Sequence, residues 1–342
     1  MRLTDLGWDD YFAHAFAEYR SRPDVEPGRV VIEFNYLYRV GARTGDLEAT
    51  IAGRLKHRAA SRSELPAVGD WVVLRQPSGH SIASIVAVLP RRSQFSRKSA
   101  GAVTDEQVVA ANVDVVFVVM GLDADFNVRR LERYLLLARE SGADPVILLT
   151  KPDLTRQLSL QVDAVAAIAA AIPVHVVSPR QNEGMERVVS HLGPGKTGAL
   201  LGSSGVGKTT IINRLLGTDL RKTRDVRESD SRGRHTTTHR ELVALPGGGL
   251  LIDTPGMREL QLWDVDEAVR ETFDDIETLR AACHFTDCRH RDEPRCAVKA
   301  AAKEGRVDPA RLESYHKLQD ELAELAKKQA ERGRKSVRTK RL

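Results

Sequence analysis

The fold class predicted for this 342-residue chain is multidomain: a small N-terminal β-barrel, a central α/β domain built on a phosphate-binding loop, and a C-terminal α-helical domain gathered round a metal. Three observations predict it. Short strand-like runs separated by turn signals fill residues 28–100, a complete GxxxxGK[ST] motif spans Gly202 to Thr209, and all three cysteines lie between Cys283 and Cys296. The expected units are an N-terminal extension (1–27), the barrel (28–100), the nucleotide domain (101–270), the helical metal-binding domain (271–326) and a basic tail (327–342).

In the barrel region RVVIEFNYLYRV, Leu47 to Leu55, GDWVVL and SIASIVAVL read as strands, with RTGD and QPSGH as turns. Several short strands in so few residues, with twelve Lys/Arg against five Asp/Glu over 28–101, fit an OB-type barrel that binds nucleic acid on one face. Tyr36, Tyr38 and Trp71 are candidates to stack on bases, with barrel packing the simpler use of each.

The central domain carries the chemistry. In GSSGVGKT, the residues Gly202, Ser203, Ser204, Gly205, Val206 and Gly207 form a loop whose backbone N–H groups would face a polyphosphate, joined by the N-terminus of the following helix. Lys208 would reach the β- and γ-phosphates and Thr209 would ligate Mg²⁺, with Thr210 beside it. The apolar run GALL before the loop and TTIINRLL after it supply the strand and helix the motif requires. Downstream, GLLI delivers Asp253 toward the metal and the Gly256 amide toward the γ-phosphate. Between them GRHTTTH offers hydroxyls to close over Mg²⁺, Thr237 first and Thr236 second.

The base-reading motif lies upstream. VILLTKPD brings Thr150, Lys151 and Asp153 into a loop, where Asp153 can accept from both the ring N–H and the amine of guanine while the Lys151 stem covers the base. Adenine lacks that donor pair, so an unpaired buried charge would reject it. VHVVS ends at Ser178, Pro179 and Arg180, a candidate loop for guanine O6. These residues specify GTP and GDP, in an order that puts the base motif before the phosphate loop. The same site forms if the chain is cut and rejoined at the surface, so the domain is read as a circularly permuted P-loop GTPase. The chain then passes from DTPG straight into the C-terminal region.

There Cys283, Cys288, His290 and Cys296 offer three thiolates and one imidazole, the tetrahedral set Zn²⁺ prefers, with no open position for water. An odd, clustered cysteine count beside a nucleotide site argues against disulfides. His284 is a spare donor. Asp308 and Pro309 read as N-cap and first position of a helix whose Leu312, Tyr315, Leu318, Leu322 and Leu325 recur at spacings of three and four. The final stretch is eight Lys/Arg against one acidic residue over 327–342, too polar to fold alone.

In order along the chain, PAVGDW, LPRRSQFSRK, DFNVRRLERYL, TKPDL, GSSGVGKTT, GRHTTTH, DTPGMRE and the cysteine cluster resemble the bacterial ribosome small-subunit-dependent GTPase A family. The resemblance implies an OB-fold, a permuted GTPase domain, a zinc-binding C-terminal domain, and work in late assembly of the small (30S) ribosomal subunit, with the subunit and its rRNA as partners. It also suggests His235 as the group that positions the attacking water, because Met257 follows DTPG where many GTPases place glutamine and a thioether cannot orient water. Thr150 stands where asparagine is commoner, so a weaker tether of the base loop is expected.

Composition sets further bounds. The net charge of +5 divides into two basic ends of +7 each and a remainder of −9, which suits a large polyanion held at both ends. No signal pattern opens the chain and no apolar segment is long enough to span a bilayer, so a cytoplasmic, membrane-free monomer is expected. Two other function classes compete: an RNA-binding module with guanine nucleotide as a sensor ligand, and a P-loop ATPase or kinase, which TKPD disfavours.

Overall fold

The computed structural model describes residues 2–34, 36–76, 81–98, 106–203, 205–217, 240–253, 273–285, 287–309, 311–313, 315–316 and 319–320. After a first helix α1 (Asp10–Ala15), five strands follow: β1 (Val25–Phe34), β2 (Leu37–Ala42), β3 (Gly45–Ile51), β4 (Trp71–Arg75) and β5 (Ala83–Val88). They pair in the order β1-β2-β3-β5-β4, and β4 returns to β1, closing a five-stranded barrel with only β3 and β5 parallel. A helix α2 (Gly53–Arg58) precedes β4. This is the OB-type connectivity expected.

Two sequence expectations need correction here. RVVIEFNYLYRV is two strands, because Tyr36 adopts a left-handed φ of 66° and reverses the chain into β2. Leu47 to Leu55 is strand only to Ile51; GRLKHR, whose Arg, Leu and Lys favour helix and which lacks β-branched residues, forms α2. Trp71 and Tyr38 are core residues, buried and unable to stack on a base. Trp71 is covered by the N-terminal segment, whose Trp8 and Phe12 rings lie 4.7 and 5.6 Å from it. Asp9 caps α1 by accepting from Tyr11 N at 3.0 Å, which fixes the approach of that aromatic face.

The chain leaves the barrel through a hairpin, β6 (Gln94–Lys98) and β7 (Glu106–Ala111), that straddles position 100. Then come β8 (Val115–Gly121), α3 (Val128–Glu140), β9 (Asp144–Thr150), α4 (Leu158–Ala169), β10 (Val174–Val177), α5 (Met185–Ser190), β11 (Thr197–Leu201), α6 (Lys208–Leu215), β12 (Arg240–Ala244) and β13 (Leu250–Asp253). Spatially the order is β10-β9-β8-β11-β13-β12, parallel except for β12. Strands buried on both faces read as unbroken apolar runs, and every residue of VVFVVMG in β8 is buried. Alternate residues serve opposite faces: Val116, Val118 and Met120 pack with Leu131 and Leu135 of α3, Phe117 and Val119 with Ile211 of α6. The outer edge of β12 pairs with β1, so barrel and central domain share one eleven-stranded sheet.

Beyond it lie α7 (Asp274–Arg280), α8 (Ala297–Lys303) and the helical residues 309, 311–313, 315–316 and 319–320, where Leu312 N donates to Asp308 O at 3.0 Å. Leu312 and Tyr315 of the expected stripe are buried; Leu318, Leu322 and Leu325 lie outside the described residues. Arg311 ties this unit to the central domain by pairing with Glu132 of α3, itself buried, and within the unit it also pairs with Asp275 of α7 at 2.8 Å. No helix among the described residues is long and apolar enough to cross a membrane.

One buried cation holds the N-terminal segment, barrel and central domain together. Arg29 donates from Nη1 to Leu6 O (2.5 Å), from Nε to Gly69 O (3.1 Å) and from Nη2 to Asn112 O (2.9 Å). Burial lowers its pKa to about 10, so it stays charged at neutral pH while the desolvated ion itself costs stability. The sign of a substitution rests on what is left behind. Arg29→Ala removes the donor to the Leu6 and Asn112 carbonyls, at about 1–3 kcal/mol each, and opens a hole, against relief of one desolvated charge. A net loss of about 3 kcal/mol is expected in urea unfolding, smaller in Arg29→Met, which fills the volume. An unchanged midpoint for Arg29→Ala would refute the bridging role.

Candidate nucleotide site and metal centre

The phosphate loop leaves the C-terminal end of β11, at the centre of the sheet between β13 and β8. Its first glycine is required by contact: a Cβ on Gly202 would stand 2.4 Å from Val119 O of the neighbouring strand. Gly207, at φ +104°, turns the chain into α6, whose first turn aims its free N–H groups at the loop. Lys208 Nζ lies over the loop, donating to Gly202 O at 2.7 Å and Ser203 O at 2.5 Å. Val206 is buried, Thr209 exposed and Thr210 half-buried. Tyr134 Oη of α3 reaches Ser203 Oγ at 3.4 Å.

The base motif ends β9, two strands away. Thr150 Oγ1 is buried 2.6 Å from Val206 O and 3.3 Å from Met120 O, and its single proton goes to the nearer, Val206. The threonine therefore ties the base strand to the phosphate loop through one hydrogen bond. Lys151 takes a left-handed φ of 58°, and its Nζ donates to Asp123 Oδ2 at 2.5 Å. That hydrogen bond holds the Asp123 carboxyl below the usual range. Asp153 sits exposed in the short 3-10 turn Pro152–Leu154, clear of the core. Ser178 is buried at the end of β10, its N–H donating to Glu183 O at 2.9 Å in a tight turn. Arg214 of α6 holds that turn's far side, with Nε donating to Pro179 O at 3.1 Å.

Asp253 ends β13 exposed, opposite Glu241 of β12. The expected contributions of Ser204, His235, Thr236, Thr237, Gly256 and Met257 fall outside the described residues. Asp123, Tyr134 and Arg214 were missed by sequence reasoning. Their only signal is register, since Gly121 of β8 pairs with Thr150 and so sets Asp123 beside Lys151.

Cys283, Cys288, His290 and Cys296 converge, their donor atoms all within 4.8 Å of one another. The Cys283 and Cys296 sulfurs are 3.8 Å apart, and His290 Nδ1 is 3.5 and 3.3 Å from them. Sulfurs about 2.3 Å from a tetrahedral zinc would stand about 3.8 Å apart, and sulfur and nitrogen about 3.6 Å, so the donor set fits. No disulfide joins these cysteines. Left-handed backbone at His290 (φ 62°) and Arg295 (φ 56°) turns the connecting loop back on itself, and Cys296 caps α8 by accepting from Lys299 N at 3.4 Å. His284 does not join the cluster; its ring packs on Phe285 at 4.8 Å.

A family model described as RsgA GTPase matches residues 88–263, half of the chain and the whole of the permuted sheet. The chain belongs to the RsgA GTPase family. Like the family, it is a circularly permuted GTP hydrolase with a five-stranded N-terminal barrel and a Cys3His metal cluster. It is 50% identical over 337 residues to the small ribosomal subunit biogenesis GTPase RsgA of Opitutus terrae, covering 96% of this chain and 92% of that protein. The RsgA 1 protein of Oceanobacillus iheyensis is 48% identical over 302 residues, 88% of this chain and 86% of that one. YjeQ from Thermotoga maritima superposes with a TM-score of 0.64 at 26% identity, over 87% of this chain and 99% of that one. YloQ, described as a circularly permuted GTPase, shares the fold at a TM-score of 0.62 and 23% identity, over 89% and 97% of the two chains. A second model, described as 50S ribosome-binding GTPase, matches only 197–334. Its span starts at β11, downstream of TKPD.

Proposed function

We propose that the chain hydrolyses GTP in late maturation of the small ribosomal subunit, working in the cytoplasm, holding the subunit and its rRNA and leaving as GTP is spent. The observation that carries the reading is the Thr150–Val206 hydrogen bond, by which segments in permuted order make one site from the base strand and the phosphate loop. The relatives named for small-subunit biogenesis, similar over nearly the full chain, supply the partner. In this reading Asp153, with Lys151 and Ser178, selects guanine. The loop 202–207 and Lys208 hold the phosphates, Thr209, Thr237 and Asp253 hold Mg²⁺, and Gly256 and His235 act at the γ-phosphate and the attacking water. Zinc on Cys283, Cys288, His290 and Cys296 is structural. The units drawn at 28–100 and 271–326, with the basic tail, are the subunit-binding parts.

Hydrolysis measured with purified small subunits, with large subunits and with neither tests the proposal. Turnover at least tenfold faster with small subunits alone is expected, with ATP failing to compete. Equal rates in all three mixtures would overturn the assignment of partner.

A further inference from the structure

β1 belongs to two structures at once. Val25 to Arg29 pair with β4 inside the barrel; after a bulge between Val30 and Ile32 the strand turns, and Ile32 and Glu33 pair with Glu241 and Arg240 of β12. Glu241 in turn stands opposite Asp253 of β13, so Ile32, Glu241 and Asp253 form one row across three strands. The barrel is thus two strand positions from the carboxylate at the end of β13. Strand addition to a sheet edge transmits displacement because backbone hydrogen bonds fix register.

The row is clamped at its side by an ion pair. Arg240 Nη1 donates to Glu33 Oε2 at 3.2 Å, with side chains 11% and 14% exposed. Burial pushes the Glu33 carboxyl up and the Arg240 guanidinium down, and each is the other's main opposing influence. Such a pair does not tolerate separation, since either partner alone is a desolvated charge. Immediately beyond Glu33 the hairpin tip exposes Phe34 (55%), Tyr36 (42%) and Leu37. Lys56 and Arg62 lie over the Tyr36 ring at 5.1 and 5.6 Å. These cations over the Tyr36 ring offer contacts to RNA phosphates, and the neighbouring exposed Phe34 ring offers a face to an unpaired base.

We propose that the β1–β12 seam, clamped by Glu33 and Arg240, couples RNA held at this hairpin tip to nucleotide at the Asp253 edge of the sheet, each altering the other's affinity. The inference rests on the reading of the chain as an RNA-bound GTPase. Glu33 and Arg240 are positioning residues that touch neither ligand. They deepen the reading by assigning a route.

The test uses the full chain, purified small ribosomal subunits and a fluorescent non-hydrolysable GTP analogue, and reads the ratio of subunit affinities with analogue and with GDP. Glu33→Gln and Arg240→Gln are each expected to shrink that ratio at least fivefold, with analogue affinity in the absence of subunits within twofold of wild type. Exchange of the charges, Glu33→Arg with Arg240→Glu, is expected to restore it. Folded single variants that keep the wild-type ratio overturn the proposal, as does a folded exchange variant that fails to recover it. Where the singles melt early, Glu33→Asp and Arg240→Lys, which keep the charges and change the contact, take their place, and folded conservative variants that keep the wild-type ratio overturn the proposal. A wild-type ratio of one sinks the underlying reading and the seam with it, an outcome distinct from variants that leave a real ratio untouched.

Discussion

Cys288→Ser is expected to deprive the chain of its zinc and unfold the C-terminal unit while nucleotide still binds. A serine hydroxyl is a poor zinc ligand beside two thiolates and an imidazole, and structural zinc contributes an apparent 10–16 kcal/mol, roughly, to the fold that holds it. Cys288 is buried with Cys296, Val298, Ala301, Val307, Leu312 and Tyr315 in one apolar cluster, so loosening the metal ligands loosens the core they sit in. Loss would also free Arg311 from Glu132, although Arg129 still reaches that carboxylate at 3.2 Å. The nucleotide residues sit on β9, β11 and α6, away from this unit, and keep their contacts. Elemental analysis should find one zinc per wild-type chain and little in the variant, with a lost helical signal and near-normal GTP affinity. Full zinc content and an unchanged melting curve would remove Cys288 from the ligand set.

Asp153→Asn is expected to weaken GTP binding by tens to a thousandfold, the equivalent of about 2–4 kcal/mol for a charge-assisted hydrogen-bond pair that becomes buried when the base is bound. The amide presents a donor to guanine's donors, while xanthine, which offers an acceptor there, becomes acceptable. Because Asp153 is exposed in a turn outside the core, the variant should melt at the wild-type temperature, which separates base reading from folding. Competition binding with GTP and xanthosine triphosphate measures the exchange. Unchanged GTP affinity would show that this aspartate does not read the base.

Sequence singles out both residues for the same reason. The cysteine cluster and TKPD each place their donors within a few residues of one another, so spacing alone specifies the chemistry. Thr150 shows where that ends. Its identity says nothing of a partner, yet its hydroxyl reaches Val206, 56 residues on, because β8 pairs with both β9 and β11 and so brings their ends within reach of one another. Trp71 and Tyr38 were equally ambiguous as aromatics; only the N-terminal segment folding over Trp71 and the closure of the barrel make them core.

By itself, then, the sequence determined the phosphate loop, the guanine motif, the permuted order of the two and the Cys3His donor set, since each is local and its residue types are dictated by the group it holds. Tertiary structure alone decided which strand edges meet. Arg29 bridging three segments, Lys151 on Asp123, Arg214 on the Pro179 turn and Glu33 on Arg240 across 207 residues all depend on pairings that periodicity does not encode. A strand's pattern says which face is buried, whereas its partner follows from which other edge would be left with unpaired backbone groups once the sheet is assembled.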